Sequence, residues 1–563
     1  MRRRALLRPA LALTALTVTL LTGSSQAAAP TTLTDVHIAA SDGVDLVGDV
    51  HLPDAPGRYP AIVDMEPYGR STTSTYVQNG YAHVNTDVRG SGKSGGALCL
   101  LCTREQRDAY DVVEWVARQP WSNGKVALYG YSYSAITALL GAALQPPHLS
   151  AVIVGHPPTD PYRDVLWHNG LYDQGFVEQW FAGQTGTQAV GLGPQPQYLD
   201  RKDQLFALET RLTDLDGPLY QERSVLAKMK SIVAPTYIFS GWNDMYSRGD
   251  LRLIDGLGAV NKRLYIDAST HHGTGNIGEL GAPYGAGPTD TSASLNATAP
   301  PGQVLSWLDR FLKGAPNGVE RQPRVTWLDL GNRSWHTAPS WRAAAPSLTR
   351  YALSGAVSGS ARSLNDGSLA TVTPTGRAAY QESYVYDPAG GLAVPMGKEG
   401  PDGFAPYVHT DQRLDDAAAL TYTTPPQTAD LSLVGPSELR FWAISESADM
   451  SWVARLSDVS PDGSEMPITQ GWLRASFRHV DPARSRDGAP YLTDDRKEPL
   501  VIGLATEYRM DLWDAGYTVA KGHRLRVWFG SSDSPTHEPV PGAGRNIVFH
   551  DDQHPSELIL GTR

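Results

Sequence analysis

The apolar positions of the chain follow two different periods, and the change between them divides it near residue 320. From about residue 34, short apolar runs alternate with segments in which apolar residues recur at helical spacing. The apolar runs are residues 59–65, 81–87, 125–129, 151–154, 236–240 and 263–267. This β-α alternation predicts a mostly parallel sheet with helices on both faces. One helix is expected to open with Thr103-Arg-Glu-Gln106, which is typical of a capping box.

Beyond about residue 322 the apolar positions alternate with a period of two. Residues 439–444, 452–456 and 524–528 follow this pattern, and Gly, Pro and Asp clusters such as 461–463 separate the runs. Alternation of this kind is typical of half-buried antiparallel strands. We therefore expect residues 319–563 to form an all-β sandwich of the jelly-roll type.

Residues 156–231 interrupt the β-α alternation of the first part. This stretch is rich in aromatic residues, lacks runs of β-branched residues and is helix-like in pattern. We interpret it as a helical cap inserted into a catalytic α/β domain of residues 30–155 and 232–318. The alternative is a helical subdomain that has no role in substrate binding.

The N-terminal segment has the pattern of a secretory signal peptide. It begins with Met-Arg-Arg-Arg, continues with the apolar run 10–21 and reaches small residues at 25–29. We expect residues 1–29 to be removed and the mature protein to be secreted, the alternative being an uncleaved anchor. No other stretch approaches the roughly eighteen apolar residues of a membrane span, so no stable membrane association is expected.

Composition narrows the classes of function. The 563 residues carry a formal charge of −11 without a basic patch, which argues against nucleic-acid binding. With 41% hydrophobic residues and 14 tryptophans the chain can bury a large core, and its length requires more than one domain. We expect no cofactor and no metal, and the sequence leaves the oligomeric state open.

The chain has two cysteines, Cys99 and Cys102, in a loop after a Gly-rich turn. An exported C-x-x-C pair is a short disulfide, half of a metal site or a redox pair. No second C-x-x-C or H-x-x-H completes a zinc site, and no thioredoxin-like pattern surrounds the pair. We therefore favour a loop disulfide.

Residues 126–136 read Val-Ala-Leu-Tyr-Gly-Tyr-Ser-Tyr-Ser-Ala-Ile, a buried strand that breaks at Gly130 and runs into a helix. Ser132 lies at the corner. A sharp strand-to-helix turn exposes a serine hydroxyl above the sheet, and small residues two positions away on either side allow the turn. The usual G-x-S-x-G pattern has Ser134 at its last position here, which is small enough to be tolerated. The segment predicts that Ser132 is a nucleophile.

A serine nucleophile needs a base to take its proton and an acid to hold that base. In this type of sheet the acid and the histidine follow the serine along the chain, after late strands. Asp244 follows the strand 236–240, and the adjacent pair His271 and His272 follows the strand 263–267. Counting from the strand favours His271 as the base, whereas the glycine that follows favours His272.

An oxyanion needs two hydrogen-bond donors. One is expected to be the backbone N–H of Tyr133, directly after the nucleophile. The other should come from the loop after the strand that ends near Met65, which has no Gly-rich run. The hydroxyl of Tyr68 is therefore the candidate for the second donor.

These residues belong to a longer set of motifs. The set is Pro67-Tyr68, Asp87-Val-Arg89-Gly90-Ser-Gly92, Asp108-x-x-Asp111-x-x-Glu114-Trp115, Gln119-Pro120-Trp121-Ser-Asn-Gly124-Lys125-Val, Gly130-x-Ser132-Tyr133, Gly241-Trp-x-Asp244, Asp458-Val-x-Pro-Asp-Gly463, Thr469-x-Gly-x-Leu-Arg474, Gly522-His-Arg-Leu-Arg526 and Ser531-Ser-Asp-x-Pro535. In content and order it resembles the hydrolase family of bacterial cocaine esterase, glutaryl-cephalosporin acylase and X-prolyl dipeptidyl-peptidase, over nearly the whole mature chain.

The resemblance implies an α/β-hydrolase fold with an inserted helical cap and a C-terminal jelly roll. It also implies a Ser132–Asp244–His271 triad with Tyr68 and the Tyr133 amide as oxyanion donors. The chain departs from the family before the histidine, where Asp267-Ala-Ser-Thr-His271 replaces the usual Gly-Pro-Trp-x-His.

The sequence therefore predicts a secreted serine hydrolase that acts on an ester, an amide or a short peptide. Trp167 in the cap and Tyr246 after the acid suggest an apolar or aromatic acyl pocket. One alternative is an X-prolyl dipeptidyl-peptidase, for which Glu66 could contribute to binding the free amine. An alternative of another class is a carbohydrate- or surface-binding protein with a vestigial triad, against which the intact set of catalytic residue types argues.

Overall fold

The computed structural model describes residues 31–70, 74–177, 180, 209–269, 271, 302–371, 382–386, 411–534 and 536–563. The expected signal peptide 1–29 and the alternative base His272 lie outside these residues. Within the described ranges, no helix is both long enough and apolar enough to cross a bilayer.

The first part of the chain is built on a ten-stranded sheet, and a separate hairpin (β7 and β8) precedes its seventh strand. The strands are Thr31–Ala39 (β1), Asp45–Leu52 (β2), Tyr59–Glu66 (β3), Ala82–Asp87 (β4), Ser122–Tyr131 (β5), Leu149–Gly155 (β6), Trp167–His168 (β7), Leu171–Tyr172 (β8), Thr236–Gly241 (β9), Lys262–Asp267 (β10), Val325–Leu328 (β11) and Trp335–Ala338 (β12). The order across the sheet is β1-β2-β4-β3-β5-β6-β9-β10-β11-β12. Pairing is parallel from β4 to β11 and antiparallel at both edges.

Both faces of this sheet are covered, which explains why its central strands are continuously apolar. The helices are Ser74–Gln78 (α1), Thr103–Ala117 (α2), Tyr133–Ala143 (α3), Pro218–Gln221 (α4), Ser247–Gly256 (α5), Gln303–Leu308 (α6) and Trp341–Ala344 (α7). Successive residues of β5 alternate between two cores: Leu128 packs in the core that includes α2 and α3, and Tyr129 in the core that includes α6. The predicted α/β fold is confirmed.

Helix α2 does not open with the expected capping box. Cys102 is its N-cap residue and makes no side-chain cap hydrogen bond. The Gln106 side chain instead donates to the carbonyl oxygens of Leu101 and Glu222, at 2.9 and 2.8 Å. The helix start is therefore held by local bonds to Leu101 and by contacts to Glu222 of the insertion, and not by a capping box.

The chain between β6 and β9 forms an insertion. Its described residues are 156–177, 180 and 209–235, and they contain the π-helical turn Pro161–Leu166 and the β7–β8 hairpin as well as short helices. Within this described part the insertion is thus not purely helical. Arg163 ties it to the C-terminal domain, since its guanidinium lies 3.0 Å from Asp494 and donates to the carbonyl oxygen of Thr493 at 2.9 Å.

The C-terminal domain is an all-β jelly roll, as predicted. Its strands are Ser347–Ser354 (β13), Gly367–Ala370 (β14), Glu382–Tyr386 (β15), Leu420–Thr423 (β16), Leu431–Ser445 (β17), Ser451–Val459 (β18), Glu465–Arg474 (β19), Thr506–Val519 (β20), Arg524–Gly530 (β21), Gly544–Phe549 (β22) and Glu557–Thr562 (β23). The centre of its core is a cluster of aromatic rings, with Phe441 stacked on Tyr508 and Trp452 stacked on Phe529.

The first sheet continues past residue 318, the expected domain boundary. β11 pairs with β10 and β12 pairs with β11, so the first sheet continues to Ala338. Edge strands with one exposed face have the same two-residue period as sandwich strands, so the pattern alone could not separate them. Asp329, just after β11, accepts hydrogen bonds from the backbone and side chain of Thr518 in the second domain.

Candidate active site

Ser132 occupies the strained corner between β5 and α3. Its φ of 55° and ψ of −117° are unusual for a residue with a side chain, and strain of this kind is found at functional sites. The turn is so tight that a Cβ on Gly130 would lie 2.2 Å from the carbonyl carbon of Ser134. Glycine is therefore required at position 130, and the turn directs the Ser132 side chain away from the strand.

Ser134, the departure from the usual motif, is part of the support of this corner. Its hydroxyl accepts from the backbone N–H of Tyr131 at 2.9 Å and donates to Glu66 at 2.7 Å. Burial raises the pKa of Glu66 well above its ordinary value, and the nearby Asp64 raises it further, while the bond from Ser134 lowers it. The serine thus does more than fit the turn.

His271 lies between Ser132 and Asp244. Its Nε2 is 2.9 Å from the Ser132 hydroxyl oxygen, and its Nδ1 is 2.9 Å from Asp244 Oδ2. A histidine held this way by a carboxylate can take the proton of a serine hydroxyl. The geometry brings together the three residues that the sequence proposed from three separate loops.

The loop after β9 explains how Asp244 and His271 meet. A Cβ on Gly241 would lie 2.1 Å from the carbonyl oxygen of Ser269, so only glycine allows the two loops to approach this closely. Asn243 then donates from its side chain to the carbonyl oxygen of Ala268 at 2.7 Å. The loop that bears the acid therefore also holds the loop that bears the histidine.

Asp244 accepts from a second histidine that the sequence did not single out. His156, directly after β6, is fully buried, and its Nδ1 hydrogen-bonds the same Oδ2 atom that His271 contacts. The backbone N–H of Tyr246 donates to the other carboxylate oxygen at 2.7 Å. Burial alone would raise the pKa of Asp244, but the two histidines hold it far below its ordinary value. Asp244 is therefore a charged acceptor throughout the usual pH range.

The two residues expected to supply the oxyanion donors are neighbours in the structure. The rings of Tyr68 and Tyr133 pack edge to face, 6.1 Å apart. The Tyr68 hydroxyl oxygen accepts from the indole N–H of Trp180 at 3.1 Å. Tyr133 is the first residue of α3, where backbone N–H groups point out of the helix end.

The aromatic surroundings of His271 differ in part from the expected pocket. The Tyr246 ring meets His271 edge to face at 4.9 Å, in line with the sequence. Phe176 packs against Tyr246 and stacks on Trp180. The indole N–H of Trp167, by contrast, lies 3.1 Å from the Tyr220 hydroxyl, within the insertion. Phe176 and Trp180, rather than Trp167, contact Tyr246 and Tyr68.

Cys99 and Cys102 form a disulfide in the structure. It lies just before α2, in a loop in which Leu100 has a positive φ of 46°. Arg223 of the insertion donates to the carbonyl oxygens of Leu100 and Cys99, at 2.8 and 3.2 Å. The bridge therefore stiffens a loop on which the insertion rests.

Comparison with known proteins agrees with this architecture. Residues 42–273 match the model of the X-Pro dipeptidyl-peptidase S15 family, and residues 317–559 match that of the X-Pro dipeptidyl-peptidase C-terminal non-catalytic domain. Cocaine esterase from a Rhodococcus species is 24% identical, over 93% of this chain and 97% of that protein.

Solved structures share the whole fold. A CocE/NonD family hydrolase from Staphylococcus aureus superposes with a TM-score of 0.76 at 21% identity, covering 95% of this chain and 94% of that one. An α-amino acid ester hydrolase superposes equally well, with a TM-score of 0.76 at 20% identity, covering 98% of this chain and all of that one. Both family matches, the order of the motifs and these relatives agree. The chain is a hydrolase that has the catalytic domain of the X-Pro dipeptidyl-peptidase S15 family over residues 42–273 and the X-Pro dipeptidyl-peptidase C-terminal non-catalytic domain over residues 317–559.

Proposed function

We propose that this chain is a secreted serine esterase that forms an acyl-enzyme on Ser132. The observation that carries the proposal is the 2.9 Å distance from the Ser132 hydroxyl oxygen to His271 Nε2, with Asp244 at 2.9 Å behind the same ring. The side chains around this Ser–His–Asp triad supply an oxyanion site and an aromatic wall.

The chemistry follows from these positions. Ser132 Oγ attacks the carbonyl carbon of the substrate while His271 Nε2 takes the hydroxyl proton, and Asp244 stabilises the imidazolium that forms. The Tyr68 hydroxyl and the Tyr133 amide donate to the oxygen that becomes negative. His271 returns the proton to the leaving alcohol, and a water molecule, activated by the same histidine, then releases the acid.

The surroundings favour an ester with an apolar or aromatic acyl group. Phe176, Trp180 and Tyr246 present rings beside His271 and Tyr68. Glu66, the carboxylate that the sequence offered for a peptide amine, is 5% exposed and hydrogen-bonded to Ser134. This leaves it unsuited to a substrate amine. The X-Pro family match keeps dipeptidyl-peptidase activity as the second candidate.

A substrate panel separates the two. We expect p-nitrophenyl benzoate or phenylacetate to give a kcat/KM at least about tenfold above that of the acetate, and both to exceed glycyl-prolyl and alanyl-prolyl p-nitroanilide. A higher kcat/KM on the dipeptide anilides would instead assign the chain to the peptidases. Replacement of Phe176 by Leu should reduce the preference for aromatic acyl groups. Phe311→Leu is the matched control, because that ring packs on Trp307 on the opposite face of the sheet.

Secretion is part of the same proposal. Its support is the basic start, apolar run and small residues of positions 1–29. N-terminal sequencing of protein recovered from the culture medium of an expressing bacterium should begin near residue 30. Recovery of the full-length chain in the membrane fraction would favour the uncleaved anchor.

A further inference from the structure

Four buried side chains meet where the insertion contacts the jelly roll. His168 lies on β7 and Asp173 directly after β8, whereas Asp533 and His537 belong to the C-terminal domain. Each is less than 5% exposed. His168 Nδ1 lies 2.6 Å from His537 Nε2, and His537 Nδ1 lies 2.9 Å from Asp533 Oδ2. The nearest side-chain donor atoms of His168, Asp173 and His537 all lie within 4.8 Å of one another.

The surrounding structure holds this cluster in place from both domains. Asp173 and His537 form an antiparallel backbone bridge, and the N–H of Glu538 donates to the carbonyl oxygen of Tyr172 at 2.9 Å. The His168 ring stacks on Trp472, whose indole N–H donates to Asp533 at 2.6 Å. The four side chains are thus preorganised rather than loosely adjacent.

The donor set suits a metal ion. Histidines that bind zinc usually donate their other ring N–H to a carboxylate, as His537 can to Asp533. Two imidazole nitrogens and one carboxylate are a common set for divalent transition metals. With metal–nitrogen bonds of about 2.0–2.1 Å and tetrahedral angles, the two nitrogens would lie about 3.3 Å apart, so the rings would separate by about 0.7 Å.

Charge balance points the same way. Asp173 and Asp533 place two carboxylates in a buried cluster beside two imidazoles, and Arg248, whose charge also reaches His168, is paired with Asp164 and Asp511. Buried charges are costly unless they are paired or coordinate a metal. A single imidazolium would balance one carboxylate, whereas a divalent cation held by neutral imidazoles would balance both.

We propose that His168, Asp173 and His537 bind one divalent transition-metal ion of the zinc type, with Asp533 orienting His537, and that this ion fastens the insertion to the jelly roll. The site also connects to the acyl pocket, because Asp173 accepts from the backbone N–H of Phe176 at 3.1 Å. This metal site is separate from the catalytic triad. His156, Asp244 and His271 also bring potential ligand atoms within 4.8 Å of one another.

The test is metal binding by the full-length mature protein after treatment with a chelator. Zinc content by mass spectrometry and the visible absorption of added Co²⁺ should both show about one ion per chain. His537→Gln and Asp173→Asn should lose it. His523→Gln is the matched control, since His523 pairs with Asp458 in the same domain outside this cluster. His271→Asn should retain the ion. This result would exclude the group of His156, Asp244 and His271 as the metal site.

Thermal unfolding with and without Zn²⁺ distinguishes a variant that has lost its metal site from one that fails to fold. Metal should raise the melting temperature of the wild type and of His523→Gln, but not of His537→Gln, because an ion that binds only the folded state stabilises it by mass action. Failure of the wild type to bind zinc or cobalt stoichiometrically would overturn the proposal. Equal binding by His537→Gln and Asp173→Asn, or loss in His271→Asn alone, would overturn it as well.

A different observation carries a second inference, at Asp244. We infer that His156 is a positioning residue for this acid; this rests on the proposed function. His156 is fixed at both ends, because its backbone N–H donates to the carbonyl oxygen of Phe239 at 2.8 Å and its Nδ1 contacts Asp244 Oδ2. Its ring lies 6.0 Å from that of His271. It therefore holds the oxygen to which His271 Nδ1 donates and shares its negative charge.

His156 destabilises the His271 imidazolium whether His156 itself is neutral or charged. A second donor on Oδ2 weakens the attraction between Asp244 and the His271 imidazolium, and a positive charge on His156 would oppose that imidazolium directly. Among the described residues, the other charged or titratable groups around this pair include Asp250 on α5, Asp267 at the end of β10, Tyr131 at the end of β5 and Tyr246, whose ring meets His271. Removing the donor should shift the acid limb of kcat/KM to higher pH.

His156→Leu and His156→Asn form the matched pair, because Asn retains an N–H donor near the position of Nδ1. We expect His156→Leu to lower kcat by about tenfold to a hundredfold and to move the acid limb upward, and His156→Asn to restore the wild-type pH profile. Nuclear magnetic resonance of the wild type labelled at histidine nitrogen should show two low-field Nδ1–H protons. An unchanged pH profile in His156→Leu, equal shifts in both variants, or one such proton would refute the inference. Unchanged pH profiles together with normal sensitivity to Ser132→Ala would leave the proposed esterase function intact.

Discussion

Ser134 Oγ lies 2.7 Å from Glu66 Oε1, so the residue that departs from the usual serine motif is hydrogen-bonded to the carboxyl group at the end of β3. The same hydroxyl accepts from the backbone N–H of Tyr131 at 2.9 Å. These bonds connect the turn between β5 and α3 to the end of β3, where the loop that carries Tyr68 begins.

Ser134→Ala should destabilise the protein by about 1–3 kcal/mol, because the Tyr131 N–H and the Glu66 carboxyl lose a buried partner. Ser134→Gly, which restores the usual motif, should be no more stable than Ser134→Ala. Denaturant unfolding measures both. Wild-type stability in either variant would mean that the hydrogen bond is not formed in solution.

Tyr68→Phe should lower kcat by roughly 10²- to 10³-fold with little change in KM, since a donor to the oxyanion is lost while the ring remains. Tyr237→Phe is the matched control, because that ring packs on Trp307 on the opposite face of the sheet, and its kcat should stay within about threefold of wild type. An unchanged kcat in Tyr68→Phe would place the second donor elsewhere in the 66–70 loop.

His271→Ala should approach the loss caused by removal of the nucleophile, on the order of a millionfold in kcat where chemistry is rate-limiting. His272→Ala should cost no more than about tenfold in kcat, because a single imidazole serves the serine. A nearly inactive His272→Ala beside an active His271→Ala would reverse the assignment.

Glu105 gives a prediction for stability against pH. Burial raises its pKa to about 7, although hydrogen bonds from the Leu101 N–H and the Tyr133 hydroxyl lower it. A carboxyl with a raised folded-state pKa stabilises the fold most at low pH, and this contribution is lost as the pH rises through about 7. Between pH 4.5 and 7.5 the wild type should therefore lose up to about 3 kcal/mol relative to Glu105→Gln.

Denaturant unfolding of both proteins across this pH range measures the difference. Other buried carboxyls also titrate there, but they are common to the two proteins, so their contribution cancels. A difference in unfolding free energy that does not change with pH would contradict the raised pKa of Glu105.

The strands of the first sheet could be predicted because each is a continuous apolar run in a covered sheet. The start of α2 could not, since Thr103 and Gln106 bind Glu222, which is distant in the sequence and adjacent only in the fold. Local motifs predict local bonds and cannot reveal such competing partners.

The candidate catalytic side chains could be predicted to the extent that they follow strand ends. His156 also follows a strand directly, after Gly155, and this position at the carboxyl edge of the sheet was the signal that could have identified it. No pattern in the sequence distinguished Trp167 from Phe176 and Trp180 as a residue of the acyl pocket. All three lie in an aromatic stretch without a clear period, so the sequence does not indicate which rings lie near the serine.

The most direct test of the account is covalent labelling of Ser132 by a fluorophosphonate, followed by peptide mass spectrometry. The wild type should take up one label per chain on the peptide that contains Ser132 and lose esterase activity in proportion. Ser132→Ala should take up none and retain substrate binding, while His271→Ala should react far more slowly. Labelling of another residue, or full esterase activity in Ser132→Ala, would contradict the central claim that Ser132 is the nucleophile.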